Sequence, residues 1–184
     1  MRVITETRQL DWTRKNGERY LRGVKLTYSE NRITSNAKSQ GYKDVTDAFD
    51  AQLENTMAYF TIARDLFDIN NPDGGLGKQI DKLMFFRSKV NDNAVFDIKK
   101  TAFSRANLGA EYGIYRGQEF RYDDFGNYNY GLAARYFGLS LEMALFGAGI
   151  NQISKFNPDL SNPSGYFDHS RDTRLIIQGY NHEW

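Results

Sequence analysis

The sequence predicts a mostly helical α+β domain with one small β-hairpin, preceded by a basic N-terminal arm. Three observations predict this fold: stretches whose apolar residues step by three and four, one pair of short runs rich in aromatic residues, and an N-terminal stretch poor in apolar residues. The chain has 184 residues, of which 40% are hydrophobic and 26% are charged. That composition can bury one ordinary core and is not typical of a disordered chain.

Composition also excludes several classes of protein. The absence of cysteine excludes disulfides, thiolate metal sites and cysteine nucleophiles. Arg2, Glu6, Arg8 and Asp11 interrupt the N-terminal stretch, so it does not resemble a secretory signal. No unbroken run of about 18 apolar residues could span a membrane. A net charge of +1 excludes a nucleic-acid binder that is held by bulk charge alone.

Charge is unevenly distributed along the chain. Residues 1–43 hold 10 Lys and Arg against 4 Asp and Glu, whereas residues 44–75 hold 1 against 7. The simplest interpretation is that the two stretches neutralise each other, and the alternative is that the basic stretch contacts phosphates or a partner. We assign residues 1–43 to a basic arm or linker, in which the alternation over Val24–Tyr28 is typical of one short strand. Residues 44–184 are expected to form the globular domain.

Two helices are predicted at the start of the globular domain. The first lies between Asp44 and Phe67, where apolar residues recur every three or four positions. Those residues are Val45, Phe49, Leu53, Met57, Phe60, Ala63 and Phe67. A stretch rich in Asn, Pro and Gly over 70–75 ends this helix. The second helix is expected to bury Ile80, Leu83, Met84 and Phe86 and to expose Lys78, Lys82, Arg87 and Lys89.

A hairpin and further helices are predicted in the second half of the chain. The hairpin covers residues 112–122 and turns near residues 116–117, where Arg and Gly interrupt β-favouring aromatic residues. Helices follow over Tyr128–Phe137 and Leu139–Ile153. A loop with two prolines then leads to a last helix.

The two histidines of the chain lie on either side of this last helix. His169 stands beside Asp168, where a carboxylate could hold the imidazole charged for general acid–base catalysis. The interpretation that we favour is that Asp168, His169 and Ser170 cap the helix, with Asp168 or Ser170 as the N-cap. His182 is expected at a frayed helix end, and nothing in the chain has zinc-ligand spacing.

An Asp-x-Lys motif is formed by Asp97 and Lys99. If these residues lie on a strand, their side chains point to the same face, as in nucleases that place a metal ligand beside a charge-stabilising lysine. A second acidic ligand is not identifiable, and three-residue patterns of this kind are common.

The stretch over 121–131 has the highest density of chemically useful side chains. It holds the paired carboxylates Asp123 and Asp124, the amides Asn127 and Asn129, and four aromatic rings. Amides donate and accept hydrogen bonds at once, and rings can stack on bases or sugars. The alternative is a junction between a loop and a helix that fastens the hairpin.

A small-residue motif follows at Gly147–Gly149, with Gln152 one helical turn later. It predicts a close helix contact from which one amide projects, although small residues at such positions usually serve packing alone.

The order of these motifs resembles that of the type 44 polymorphic toxins, domains at the C-terminal tips of bacterial Rhs-type and related secreted proteins. The resemblance lies in the Asp-x-Lys motif, the acid-Asp-Phe-Gly-Asn-aromatic-Asn-Tyr-Gly block over 123–131, Gly-Ala-Gly with a nearby Gln, and an acidic start of the last helix over 168–172. It covers roughly residues 80–184, and the Asn-Tyr-Gly block is its most specific part. Phe96 stands where a tryptophan is expected. The last helix lacks the expected consecutive acids and proline, so His169 inherits no role from the family.

The resemblance and the local chemistry together give a candidate site. The candidate catalytic residues are Asp97, Lys99, Asn127, Asn129, Tyr130, Asp168 and, from local chemistry alone, His169. The candidate substrate-binding residues are Asp123, Asp124, Gln152 and Asp172. No metal ligand is assigned, and a divalent metal ion stays open as a cofactor.

The resemblance implies an antibacterial effector domain that a carrier protein delivers into a competing cell and that a cognate immunity protein neutralises. Its first functional hypothesis is a nuclease that acts on RNA in the target cytoplasm, with Lys99 stabilising charge on the phosphate. The second is a glycan hydrolase that attacks peptidoglycan in the periplasm with two of its carboxylates. The third is a non-enzymatic binding or structural domain. Convergence of Lys99, Asn127, Tyr130 and Asp168 on one pocket would favour an enzyme.

Overall fold

The computed structural model describes residues 3–15, 18–31, 41–72, 74–91, 94–100, 102–154, 157–166 and 168–184. The chain divides into two compact units, Met1–Gln40 with Glu183–Trp184 and Gly41–His182. The arm predicted over 1–43 therefore lies partly outside the described residues. Among the residues that are described, no helix is long and apolar enough to cross a membrane.

The N-terminal unit contains an antiparallel hairpin. Strand β1 covers Val3–Lys15 and strand β2 covers Glu18–Asn31, and their pairing shifts between Asp11 and Trp12, as at a β-bulge. The strand predicted over Val24–Tyr28 lies inside β2, whereas β1 was not predicted.

Most of the larger unit is helical, which confirms the predicted α+β class. Its helices are α1 (Thr46–Asn70), α2 (Leu76–Val90), α3 (Arg105–Leu108), α4 (Tyr122–Phe137), α5 (Leu141–Ser154) and α6 (Ser170–Tyr180). The small hairpin is also confirmed, with β3 over Tyr112–Tyr115 and β4 over Gln118–Arg121 in antiparallel register.

Helix α1 carries the centre of the core. Phe49 and Phe60 on its apolar face have no solvent exposure. The Phe49 ring lies edge-on to Phe125 with 4.9 Å between centroids, and Phe60 lies 6.0 Å from Phe137. Aromatic pairs at such distances stabilise beyond the area they bury, so α1 holds α4 at two points along its length.

Helices α4 and α6 cross in direct backbone contact. A Cβ added to Gly131 of α4 would lie 2.0 Å from the carbonyl oxygen of Ile176, and one added to Gly179 of α6 would lie 1.9 Å from that of Tyr128. Only glycine leaves room for this approach. The glycine of the Asn-Tyr-Gly block therefore sets the spacing between the two helices that carry most of the candidate carboxylates.

Helix α2 turns a different face to the core than its pattern predicted. Ile80 and Met84, expected inside, are 51% and 58% exposed, whereas Lys82, expected outside, is 6% exposed. The Lys82 ammonium lies 3.5 Å from Asp68 Oδ2 and 5.4 Å from the centre of the Phe137 ring. Pairing of the charge and packing of the stem allow this lysine to be buried, and these contacts orient α2.

Helix α4 begins at Tyr122 rather than at Tyr128. Asp124, its third residue, accepts the backbone N–H of Arg121 at 2.7 Å and so satisfies a donor that the helix start leaves open. Asp123 and Asp124 also place negative charge in the first turn, which the helix dipole favours. Asp123 and Asp124, which looked like loop residues, therefore lie in the first turn of α4.

His182 is buried and does not lie at a frayed helix end, contrary to expectation. His182 is 4% exposed, and its Nδ1 lies 2.7 Å from the Tyr128 hydroxyl. Arg135 donates to the His182 carbonyl at 3.0 Å. Burial, followed by the positive charges of Arg116 and Arg135, lowers the pKa of His182 to about 4, so this imidazole is neutral at physiological pH.

Candidate active site

A pocket of about 140 Å³ lies where five segments of the larger unit meet. Its walls are the end of α2, the turn over 94–100, the first half of α4, the second half of α5 and the start of α6. Eight of the eleven candidate residues line it: Asp97, Lys99, Asp123, Asn127, Tyr130, Gln152, Asp168 and Asp172. This convergence is the arrangement that the enzyme hypotheses expect.

One face of α4 forms a wall of the pocket. Asp123, Gly126, Asn127 and Tyr130 line it at positions i, i+3, i+4 and i+7, which lie on one side of a helix. The intervening Phe125 points into the core with no solvent exposure. The sequence of this block therefore separates a polar pocket face from an apolar core face.

The Asp-x-Lys motif lies in a turn rather than on the predicted strand. Asp97 is 3% exposed and forms an ion pair with Lys100, with 3.7 Å between Oδ2 and Nζ. A Cβ on Gly126 would stand 3.3 Å from both Cβ and Cδ of Lys99. The stem of Lys99 thus lies on the bare backbone of α4, which explains how a glycine in one motif positions a lysine in another.

Tyr130 is fixed by contacts on three sides. Its hydroxyl donates to the Ala144 carbonyl at 2.8 Å, and its ring lies edge-on to Phe86 at 5.2 Å. A Cβ on Gly147 would come within 2.9 Å of the same hydroxyl. Burial raises the pKa of Tyr130, so the phenol stays protonated. Tyr130 therefore presents a rigid neutral ring to the pocket.

Asp168 lies at the deep end of the pocket with 2% exposure. The Gln152 side chain and the backbone N–H of His169 donate to its carboxylate. A Cβ on Gly149 would lie 1.9 Å from the Tyr166 carbonyl oxygen, so α5 rests directly on the segment before Asp168. This close contact brings Gln152, one turn further along α5, within reach of the carboxylate.

Asp168 and Asp172 form a carboxylate pair with perturbed protonation. Burial, followed by the negative charges of Asp168 and Asp123, raises the pKa of Asp172 to about 6. Burial also raises the pKa of Asp168, although its hydrogen bonds from Gln152 and His169 oppose the rise. Asp172 therefore takes up a proton near pH 6, whereas hydrogen bonds oppose the protonation of Asp168.

Two arginine–carboxylate pairs fasten the helices that carry this site. Arg121 donates to both carboxylate oxygens of Asp123, from Nε to Oδ1 at 2.5 Å and from Nη2 to Oδ2. Arg171 of α6 pairs with Asp124 of α4. Because Arg171 directly precedes Asp172, this second pair holds the start of α6 against the start of α4.

Three candidate residues do not line the pocket. Asn129 is 1% exposed, and its Oδ1 accepts from Thr56 Oγ1 of α1 at 2.8 Å. Asp124 caps α4 and pairs with α6 as described. His169 is the N-cap residue of α6, in place of Asp168 or Ser170, and its Nε2 lies 3.1 Å from Asn157 Nδ2. All three side chains have structural contacts around the pocket.

Three polar residues that the sequence analysis did not assign also line the pocket: Arg87, Asn91 and Asn151. Among the described residues, their side chains make no hydrogen bond or ion pair, and neither does that of Asn127. Arg87 and Asn91 are four residues apart at the end of α2, a spacing that would have put them on one face. Their polar groups are therefore available to a ligand.

The sequence neither assigns nor excludes a divalent metal ion, which would need several carboxylate or imidazole ligands close together. Within the part of the chain that the structure describes, no three His, Asp or Glu side chains are grouped so that they could hold a metal ion. Three of the four pocket carboxylates instead have protein partners: Asp97 pairs with Lys100, Asp123 pairs with Arg121, and Asp168 bonds Gln152.

A family model for bacterial toxin 44 matches residues 85–183, slightly more than half of the chain. The chain therefore belongs to the bacterial toxin 44 family. The match includes every residue that lines the pocket, from Arg87 to Ile176. Neither the curated proteins nor the solved structures contain a significant match.

Proposed function

We propose that this toxin domain is a hydrolase that cleaves a glycan, with Asp172 as general acid and Asp168 as base or nucleophile. The observation that carries the proposal is the pair of buried Asp168 and half-buried Asp172, which line one pocket with asparagine amides that make no hydrogen bond among the described residues. Glycosidases use two carboxyl groups of this kind, one protonated and one ionised.

The two environments assign the two roles. Asp172 has a pKa of about 6 and can donate a proton to the glycosidic oxygen as the bond from that oxygen to the anomeric carbon breaks. The Asp168 carboxylate accepts hydrogen bonds from Gln152 and His169, which oppose its protonation and orient it. Asp168 then either attacks the anomeric carbon or takes the proton of the water that does. The hydroxyl of water ends on the anomeric carbon in both cases.

Charge favours a glycan over RNA as the substrate. The unit Gly41–His182 has 15 Lys and Arg against 18 Asp and Glu. The pocket itself holds four carboxylates against Arg87 and Lys99. Phosphate contacts supply most of the affinity for nucleic acids, so this surface opposes a polyanion. The amides and rings of the pocket suit sugar hydroxyl groups and ring faces.

A nuclease is the second candidate because Lys99 lies in the same pocket as Asp97. A lysine in that place could stabilise charge on a phosphate. The 10 Lys and Arg of residues 1–43 could hold a nucleic-acid backbone.

The glycan proposal implies a site of action as well as a substrate. A toxin that cleaves peptidoglycan would be delivered by its carrier to the periplasm of the target cell, and its immunity protein would act in that compartment. The nuclease would instead act in the cytoplasm.

The test is to incubate the purified chain with isolated peptidoglycan sacculi and, separately, with total RNA. We expect new reducing sugar ends from the sacculi and intact RNA. Asp172→Asn should lower the rate at least ~100-fold, because it removes the general acid. The matched control is Asp81→Asn, an exposed residue of α2 outside the pocket, which should stay within about twofold of the wild type.

The opposite result would be RNA breakdown that Lys99→Ala abolishes, with intact sacculi. Expression in a bacterium with and without a periplasmic signal checks the compartment independently. Lysis only after export supports the glycan hydrolase, whereas killing without export contradicts it.

A further inference from the structure

Arg87 has an unusual place among the cations of α2. Lys78 and Lys82 on the same helix both pair with Asp68. Arg87 lines a pocket that holds four carboxylates, and yet among the described residues it pairs with none of them. An arginine that is partly buried and has no ion-pair partner is a costly arrangement unless a ligand completes it.

The position of Arg87 separates it from the carboxylate pair. Its charge acts on the Tyr130 hydroxyl, which lies on the α4 wall. The charges that act on Asp168 and Asp172 are those of Lys99, His169, Asp123 and Asp124 and of each other. The pocket therefore has a cationic end at α2 and a proton-transfer end at α6.

Neutral polar groups border the cationic end. Asn91 lies one turn after Arg87, and Asn127 and Asn151 face the same pocket from α4 and α5. The rings of Phe96 and Tyr130 also line it. These groups match the hydroxyl groups, the acetamido group and the apolar ring face of an N-acetylated sugar.

We propose that Arg87 binds the carboxylate of an acidic sugar ring, so that the enzyme selects glycans in which such a ring adjoins the scissile bond. This inference rests on the proposed function. A guanidinium binds a carboxylate through two parallel N–H groups, which gives geometry as well as charge. Cell-wall glycan alternates a neutral N-acetylated sugar with one that carries a lactyl group, and the lactyl carboxylate is free wherever the stem peptide has been removed.

A carboxylate fits this site better than the phosphates of a nucleic acid. An acidic sugar ring brings one negative charge, which a single arginine can compensate. Every nucleotide of a nucleic-acid strand would bring a negative charge close to Asp97 and Asp123, and these like charges would repel each other.

The experiment compares N-acetylmuramic acid with N-acetylglucosamine, two monosaccharides that contain no bond to cleave and differ only in the 3-O-lactyl group that carries the carboxylate. Their affinities for the full chain are measured by NMR titration. We expect a preference of about tenfold or more for the acidic sugar. Arg87→Gln should reduce the ratio of the two affinities to near one, and Arg87→Lys should restore part of it. The matched control is Arg105→Gln, an exposed arginine paired with Glu111 outside the pocket, which should keep the wild-type ratio.

Equal affinities in the wild type, or a ratio that Arg87→Gln leaves unchanged, would overturn the proposal. A dinucleotide that binds more tightly than the acidic sugar, and does so through Arg87, would also overturn it by identifying a phosphate site. Cleavage of sacculi is scored separately from binding. If the wild type cleaves sacculi but shows no preference for the acidic sugar, only the proposal for Arg87 is refuted. If the wild type cleaves no glycan, the proposed function is refuted, and the ratio of the two sugar affinities still tests whether Arg87 binds a carboxylate.

Discussion

Replacing Asp172 by Asn should stabilise the folded protein while it removes the general acid. The carboxyl has a pKa of about 6 in the fold against an ordinary value of 3.8. Each pKa unit corresponds to about 1.4 kcal/mol, so ionised Asp172 costs the fold about 3 kcal/mol at most. The side chain keeps part of its surface in solvent, and screening reduces the expected gain to about 1–2 kcal/mol.

The gain should depend on pH in a defined direction. The folded state of the wild type binds the Asp172 proton below about pH 6, whereas the unfolded chain binds it only near pH 4. The cost of the charge is therefore fully present above pH 7 and declines as the pH falls from 6 to 4. Urea unfolding should show Asp172→Asn to be more stable than the wild type at pH 7.5 and nearly equal to it at pH 4.5.

Asp81→Asn serves as the control for stability as well as for activity. Asp81 is exposed, so its substitution should change the free energy of unfolding by less than about 0.5 kcal/mol at both pH values. An Asp172→Asn variant that is less stable than the wild type at pH 7.5, or whose gain does not shrink at pH 4.5, would refute the burial argument for this carboxyl.

Three further predictions concern packing, acid stability and the orientation of the base. Gly131→Ala should destabilise by about 3 kcal/mol or more, because its Cβ would collide with the Ile176 carbonyl, and thermal unfolding measures the loss. As the pH falls from 6.5 to 4, His182 binds a proton in the unfolded chain but not in the folded one, so the free energy of unfolding should fall by up to about 3 kcal/mol. His182→Gln should lack this pH dependence when stability is measured by urea titration. Gln152→Leu removes a donor that lowers the pKa of Asp168, so the acidic limb of the pH–rate profile should move to higher pH. If the acidic limb of the pH–rate profile stays at the same pH, the role of Gln152 in lowering the pKa of Asp168 would be contradicted.

The helices were predictable where local periodicity was strong. Helix α1 follows from apolar residues three and four apart, and the β3–β4 hairpin from aromatic residues around an Arg-Gly turn. The start of α4 was missed because Asp123 and Asp124 resemble loop residues. A carboxylate at the third helical position was nevertheless a readable signal of a helix start.

The candidate site was predictable only as a set of residues. The order of the motifs identified Asp97, Lys99 and Asn127 as candidate site residues. Asp97 and Lys99 were expected on a strand, but they lie in a turn. Arg87 was expected outside with the other cations of α2, although it lies four residues after the buried Leu83 and therefore on the same face of the helix. The ion pairs of Asp68 and the packing on Phe137 rotate this helix, and such contacts between distant residues leave no local trace in the sequence.

The sequence by itself determined the helical α+β class, the membership of a toxin family and most of the polar side chains of the pocket. These properties depend on residue type and on spacing along the chain. Only the tertiary structure decided which of those side chains meet, which of them serve the fold, and where protons reside. The raised pKa of Asp172 and the absence of an ion pair for Arg87 among the described residues both depend on burial and on distances between helices, because desolvation and Coulomb energies are set by separation in space.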